Sequence, residues 1–202
     1  MKDKIQTLLG LFMVGFVVIG LIRSIYNRNF ADPAFEILKS TEISAPIKNA
    51  LFWHEEELEK VSSGMVNAKL SGEESFFIRP LYEALKNNGM VNEHISTMSD
   101  RATQRMIELD AYRGTEPNVW EIAKQNGKPY IFKIIINGVS AKKTSGDLNS
   151  VEYLYSLYNT SDGTLLWEAE TMRLAGFFGG MPGSEESISI LEKHLKESNI
   201  IE

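Results

Sequence analysis

The sequence predicts an α/β (α+β) protein: a single N-terminal transmembrane helix followed by a small, mostly antiparallel sheet covered by helices. Three observations predict it. An uncharged apolar run, Ile5 to Ile22, opens the chain. Helix-like spacing of apolar residues then prevails to about residue 126, and strand-like alternation takes over from Tyr130 to Met172. An amphipathic helix closes the pattern, which suits a sheet covered by helices. The 202 residues accordingly divide into an anchor at 1–28, a linker at 29–43 and an exported globular domain at 44–202.

The opening run has only Gln6 and Thr7 as polar interruptions. As a helix it would extend about 27 Å at ~1.5 Å per residue, close to the ~30 Å hydrocarbon core of a bilayer. The competing reading is a cleaved signal peptide, with Lys2 and Lys4 as its basic start and "VIG" at 18–20 as a weak cleavage site. Signal h-regions run about 7–15 residues and end in small residues. Here the run is longer and "LIRSIYNRNF" follows it, which favours a retained anchor. Lys2 and Lys4 on one side are balanced by Arg23 and Arg28 on the other. The very short head tips the orientation towards an inner-membrane, single-pass protein with its C-terminal domain in the periplasm. With no cysteine, neither a disulfide nor an acylated cysteine is available, so the tether is the helix itself.

Taking away the first 28 residues leaves 17 basic against 26 acidic side chains, a net charge of −9. Such a domain repels phosphate backbones, which argues against a nucleic-acid partner. The expected contacts are the lipid bilayer, through residues 5–22, and an envelope or inner-membrane protein complex.

The elements follow in order. "NRNFADPAFEILKSTEI" is a mixed connector with Pro33, either a linker or a short docking helix. "APIKNALFWHEEELEKV" is ambiguous between strand and helix, and its cluster Glu55, Glu56, Glu57 and Glu59 suits a solvated face. In "SGEESFFIRPLYEALKNNGMV", Phe77, Leu81 and Leu85 recur at helical spacing, Pro80 starts or kinks the helix, and Asn88-Gly89 stop it. "SDRATQRMIELDAYRG" is a second helical candidate, with Ala102, Met106 and Leu109 on one side. "EPNVWEIAKQNGKP" is a short third, opened by Pro117 and closed by Gly127.

"YIFKIIING" is β-branched and aromatic and reads as a central strand. After the polar loop "AKKTSGDLNS" comes a hairpin. Val151, Tyr153, Tyr155 and Leu157 alternate on one face, and Leu165, Trp167 and Ala169 share a face of its partner. Asp162-Gly163 supplies the positive backbone angles of the turn. "AGFFGGMPG" is an apolar, glycine-rich loop. "SEESISILEKHLKESNI" is an amphipathic helix with Ser184 as its cap and Ile188, Leu191 and Leu195 as its buried stripe.

No reactive constellation stands out, so the catalytic, cofactor and metal sets are each read as none. His54, His94 and His194 lie far apart in sequence, and the latter two suit partly exposed surfaces. "HEEE" at 54–57 lacks the i, i+4 spacing that lets two helical ligands converge on a metal. Asp110 and Asp147 have no identifiable base or nucleophile beside them. No nucleophile elbow, zinc-protease motif or phosphate-cradling loop occurs. "NTS" at 159–161 fits a glycosylation site at a hairpin tip: in a bacterium it is merely a turn, and in a eukaryotic secretory protein it would be a usable acceptor. Exposed Phe177, Phe178 and Met181 in one loop would need a cover. A connector tucked on the body is the first reading for them, and partner contact the second.

Three stretches together carry a resemblance: "FFIRPLYEALKNNGMV", "VWEIAKQNGKPYIFKIIING" and "LYSLYNTSDGTLLWEAE". They are similar to the periplasmic α/β modules related to the amino-terminal domain of TolB, a loose group that includes LpoB-type activators of peptidoglycan synthases. Leu81, Leu85 and Gly89 match the first element, Ala123, Gly127 and Ile131 the second, and Asp162, Gly163 and Trp167 the third. The resemblance spans roughly residues 73–170 and consists of packing and turn residues. Many of these relatives carry a lipidated cysteine, which this chain lacks, so an outer-membrane location is not implied. The resemblance implies an accessory or assembly role in contact with another envelope protein.

Three functions are therefore weighed. The first is a non-enzymatic, membrane-anchored accessory or scaffolding subunit of a cell-envelope complex, with Phe177, Phe178 and Met181 as candidate contacts. The second is an envelope hydrolase whose site would gather His54 with acidic groups. The third is a small-ligand sensor with a pocket lined by Tyr153, Tyr155 and Trp167, against which stands the simpler expectation that these rings fill the core.

Overall fold

The computed structural model describes residues 18–19, 34–56, 74–98, 117–141, 148–174 and 184–202. The anchor prediction thus lies outside the described residues, except for Val18 and Ile19, which are helical and exposed. Among the described residues no helix is long and apolar enough to cross a membrane. The predicted helix over 99–114 also lies outside them.

Six strands form one sheet: β1 (Ala34–Ser40), β2 (Ala50–Glu56), β3 (Val91–Met98), β4 (Tyr130–Ala141), β5 (Leu148–Asn159) and β6 (Leu165–Leu174). Their order is β1-β6-β5-β4-β2-β3. The sheet is mixed. β1–β6, β6–β5 and β5–β4 are antiparallel, whereas β2 runs parallel to both β3 and β4. The helices are α1 (Arg79–Asn87), entered through a π-helical turn at Glu74–Ile78, α2 (Val119–Gln125) and α3 (Ser184–Glu197).

Two strands lie outside the elements read from the sequence, one in the connector and one in a stretch to which no element is assigned. The connector at 29–43 contains β1, an edge strand with a bulge between Ile37 and Lys39. It pairs because Phe35 drops into the core beside Tyr155 and Trp167, and Thr171 Oγ1 donates to the Ala34 carbonyl at 2.8 Å. The second is β3, "VNEHISTM", the opposite edge, whose half-polar composition reflects a strand paired on one side only.

The main core fills the space between the sheet and α1 with α3. Phe52, Phe132, Tyr155, Leu157 and Trp167 from the sheet meet Leu81, Leu85, Leu191 and Leu195 from the helices. On the other face α2 lays Val119 and Ala123 against Leu51 and Ile131, with Trp120 edge-on to Tyr158 at 5.5 Å. Asn118 caps α2, its Oδ1 accepting from the Glu121 N–H at 3.2 Å.

Among the described residues, α1, α2 and α3 end alike. Gly89, Gly127 and Asn199 take positive φ, and the next residue's N–H reaches back five residues: Met90 to Leu85, Lys128 to Ala123, Ile200 to Leu195. This termination leaves the last carbonyls satisfied and turns the chain sharply into the next segment. Met90 then accepts from Ala50 N–H at 2.8 Å, and Ile200 from Ile47 N–H at 2.8 Å, so the turns lock to one another.

Candidate functional site

The register gives the sheet two unlike ends. At one, every described connection is short and hydrogen-bonded: the three helix terminators, the 41–49 segment and the β5–β6 turn, where Gly163 N–H reaches Asn159 O at 2.9 Å. A buried lysine seals it. Lys128 Nζ reaches Asn49 Oδ1 at 3.1 Å, Asn92 Oδ1, and Glu93 Oε2 at 3.4 Å, while Asn126 Nδ2 donates to Glu93 Oε1 at 2.7 Å. Asn49 holds positive φ to join this cluster and accepts from Asn92 Nδ2 at 2.8 Å.

At the other end, β2, β3, β4 and β6 finish and β1 and β5 begin. Ala34 sits opposite Met172, Ser150 opposite Leu174, Ala141 opposite Leu148 and Glu56 opposite Met98. The segments 1–33, 57–73, 99–116, 142–147 and 175–183 therefore all attach at this open end. It is also where the parallel strands end, with β3 and β4 on opposite sides of β2. In open α/β sheets, such a reversal at the carboxyl ends of strands is the usual place for a binding crevice.

His54 stands near that point, two residues before the end of β2, and faces the main core with Ile134 and Ser96 as its lateral neighbours. It is buried, and Ser96 Oγ approaches its Nδ1 at 3.4 Å. Burial first, and His94 second, push its pKa down to about 4, so the ring is neutral at physiological pH. His94 packs edge-on to Phe52 at 5.1 Å and lies 5.2 Å from Tyr82. His194 is remote from both, stacked on Phe35 at 4.2 Å with Nδ1 3.0 Å from Glu197 Oε2. His94 and His194 are half-buried, as their sequence setting suggested. The approach of His54 to His94 was invisible in sequence because their strands are joined through α1. Among the described residues no group of three His, Cys, Asp or Glu side chains converges as a metal ion would need.

The solvated acidic face expected around 55–59 is corrected at Glu55. Its carboxylate pairs with Lys133 and is largely sheltered, and the same ammonium lies 4.1 Å above the Trp53 ring. Both strands are internal to the sheet, so an acidic side chain there needs a cation, and the neighbouring strand provides it. Glu57 and Glu59 lie outside the described residues.

Tyr153, Tyr155 and Trp167 are fully buried and fill the core. Tyr155 stacks against Phe132 at 6.3 Å and Phe35 at 6.5 Å, Tyr153 meets Phe77 at 4.7 Å, and Trp167 Nε1 donates to Ser198 Oγ at 3.2 Å. The space that the alternative sensor reading assigns to a pocket is occupied by the packing of these three side chains, the simpler of the two expectations. Burial also pushes the Tyr155 hydroxyl far above the ordinary phenol range. Arg173, buried at the end of β6, sets its guanidinium 4.5 Å from the Phe77 ring. The candidate contacts Phe177, Phe178 and Met181 lie outside the described residues, in the segment that leaves β6 at Leu174 and returns at Ser184. Asp110 and Asp147 lie outside them too.

No protein-family model matches the chain, and no curated protein matches it in sequence. Solved structures similar to it include the PelC dodecamer from Paraburkholderia phytofirmans, at 14% identity and TM-score 0.44, covering 83% of this chain and 98% of that one. Lipoprotein GNA1162 from Neisseria meningitidis is similar at 11% identity and TM-score 0.36, covering 73% and 96%. The LpoB C-terminal domain from Escherichia coli is similar at 16% identity and TM-score 0.34, covering 67% and 87%. LpoB, named by the sequence resemblance over residues 73–170, is thus among the structural neighbours. At these scores no activity or partner passes from them to this chain.

Proposed function

We propose that the chain is a membrane-anchored, non-enzymatic accessory or scaffolding subunit of a bacterial cell-envelope complex, acting through protein–protein contacts of its periplasmic domain. The observation that carries the reading is the polarity of the sheet. One end is tied off by hydrogen-bonded turns, and the other receives the apolar N-terminal segment at Ala34 and the two longest connections, 57–73 and 99–116. The 18-residue apolar run, the acidic domain at net charge −9 and the resemblance to TolB- and LpoB-type modules support it. Phe177, Phe178 and Met181 are the proposed contacts, since their segment leaves from that same open end.

Affinity capture of the full chain from a detergent extract, after mild crosslinking in cells, tests the proposal. A second envelope protein in fixed ratio is expected, lost when Phe177, Phe178 and Met181 are together replaced by Glu. Recovery of this chain alone would count decisively against a scaffolding role.

A further inference from the structure

We propose that Asn137, in the bulge of β4, is a site of spontaneous deamidation, and that the fold protects the other Asn-Gly and Asp-Gly pairs from the same chemistry. Asparagine followed by glycine is the pair most prone to it, because glycine has no Cβ to obstruct its own nitrogen as it approaches the neighbouring side-chain carbonyl. The sequence holds three such pairs, Asn88-Gly89, Asn126-Gly127 and Asn137-Gly138, and one Asp-Gly, Asp162-Gly163, which reacts by the related isomerisation. The first two sit in helix terminators. Asn88 Nδ2 donates to Glu192 Oε1 at 2.7 Å and to Ala84 O at 3.1 Å, and the Gly89 N–H donates to Lys86 O at 2.9 Å. Asn126 Nδ2 donates to Glu93 Oε1 at 2.7 Å, and the Gly127 N–H to Lys124 O at 3.2 Å. In both pairs the leaving amide and the attacking nitrogen must first give up these bonds. At the β5–β6 turn, Asp162 Oδ1 accepts from the Thr164 N–H at 3.0 Å, which holds its carboxyl below the usual range, and the Gly163 N–H is taken by Asn159 O. An ionised carboxylate is a poor electrophile.

Asn137 lacks these restraints. β4 pairs with β5 at Ile136–Tyr153 and again at Gly138–Glu152, and the register steps over Asn137 between them. Pairing with β2 on the other side ends at Ile135. The side chain is exposed, and among the described residues it makes no hydrogen bond. A bulge leaves its extra residue out of the ladder, so neither the ladder nor a side-chain bond fixes this carboxamide. The Gly138 nitrogen bonds to Asn137 Cγ and closes a cyclic imide. The Cγ–Nδ2 bond breaks, and ammonia leaves with the Gly138 amide proton. Water then opens the imide to an aspartyl or an isoaspartyl linkage. Either product sets a carboxylate beside Gly138, where the Glu152 carboxylate already lies, its Oε2 2.5 Å from the place a Cβ would take. Like charges facing one another across an antiparallel pair oppose the pairing. The flanking pairs Ile136–Tyr153 and Val139–Val151 carry side chains of the main core, so the product is a more acidic and less stable domain.

The full-length protein is incubated in mild detergent at weakly alkaline pH, folded in one sample and unfolded in urea in another, and its digests are followed by mass spectrometry. In the folded sample Asn137 is expected to convert several-fold faster than Asn88 or Asn126. In urea the three are expected to converge. Asn137→Gln, whose longer side chain would have to close a larger and less favourable ring, is expected to remove the early acidic species seen on ion exchange. Asn137→Asp, which carries the charge from the start, is expected to unfold at a lower urea midpoint than Asn137→Gln. Conversion of Asn88 or Asn126 as fast as Asn137 in the folded protein, or no conversion at any of the three, overturns the assignment. The same ranking in urea as in the folded state overturns its structural cause. Equal midpoints for the two variants overturn the loss of stability and leave the site standing.

Discussion

Protonating His54 should destabilise this domain. The ring is 4% exposed, faces the apolar core between Ile134 and Ser96, and has its pKa depressed from 6.5 to about 4. Between those two values the unfolded chain binds a proton that the folded chain refuses. The stability that His54 supplies by staying neutral is therefore complete above the upper value and falls as the pH drops through the window. A shift of this size corresponds to about 2 kcal/mol lost between about pH 7 and about pH 5, approaching about 3 kcal/mol below the folded-state pKa. His54→Leu keeps an apolar side chain of similar volume and removes the titration. The assay is urea unfolding of both full-length proteins in mild detergent across that range, followed by tryptophan fluorescence. Trp167, buried against the core, should report loss of packing. The wild type should lose stability with acid faster than His54→Leu by about that 2 kcal/mol. Parallel decline of the two proteins would refute the reasoning, since it would mean that His54 titrates alike folded and unfolded.

Other positions give further tests. Lys128→Met leaves Asn49, Asn92 and Glu93 short of a donor at the closed end, and should lower stability by about 1–3 kcal/mol, read as a reduced urea midpoint. Gly127→Ala forces an L side chain to φ +62° with nothing in its way, so its cost is backbone strain of about 1–2 kcal/mol. Gly138→Ala is the contrasting case. Its new methyl would sit 2.5 Å from Glu152 Oε2, the tip of a flexible side chain that can swing aside, so it should cost less than Gly127→Ala in the same unfolding assay.

The parts of the fold legible in the sequence are those specified locally. The β5–β6 hairpin announces itself because the alternation of Tyr153, Tyr155 and Leu157 reports one buried face and Asp162-Gly163 the turn. The helices containing Leu81–Leu85, Val119–Ala123 and Leu191–Leu195 follow from spacing and from Gly89 and Gly127. The remainder depends on partners far along the chain. β1 reads as a connector because its bulge breaks the alternation after Ile37 and only one side of it is paired. β2 is ambiguous because a strand paired in parallel on both sides is apolar on both faces for much of its length. Glu55 looks solvent-bound until Lys133 is placed on the adjacent strand. The Lys128 cluster joins residues up to 79 positions apart, and no window on the sequence brings them together. Of the candidate contacts, only the point of departure of their segment at Leu174 is fixed.

The pairing of β1 with β6, and of Ile47 with Ile200, has a consequence for how the protein is made. Ile188, Leu191, Leu195, Ile200 and Ile201 all belong to the main core, yet they are synthesised after every strand they cover. A nascent polypeptide that has reached only Leu174 has a sheet with half its lid missing. Such an intermediate cannot close its main core, and the fold is completed only once the last helix arrives to cap what the first strand began.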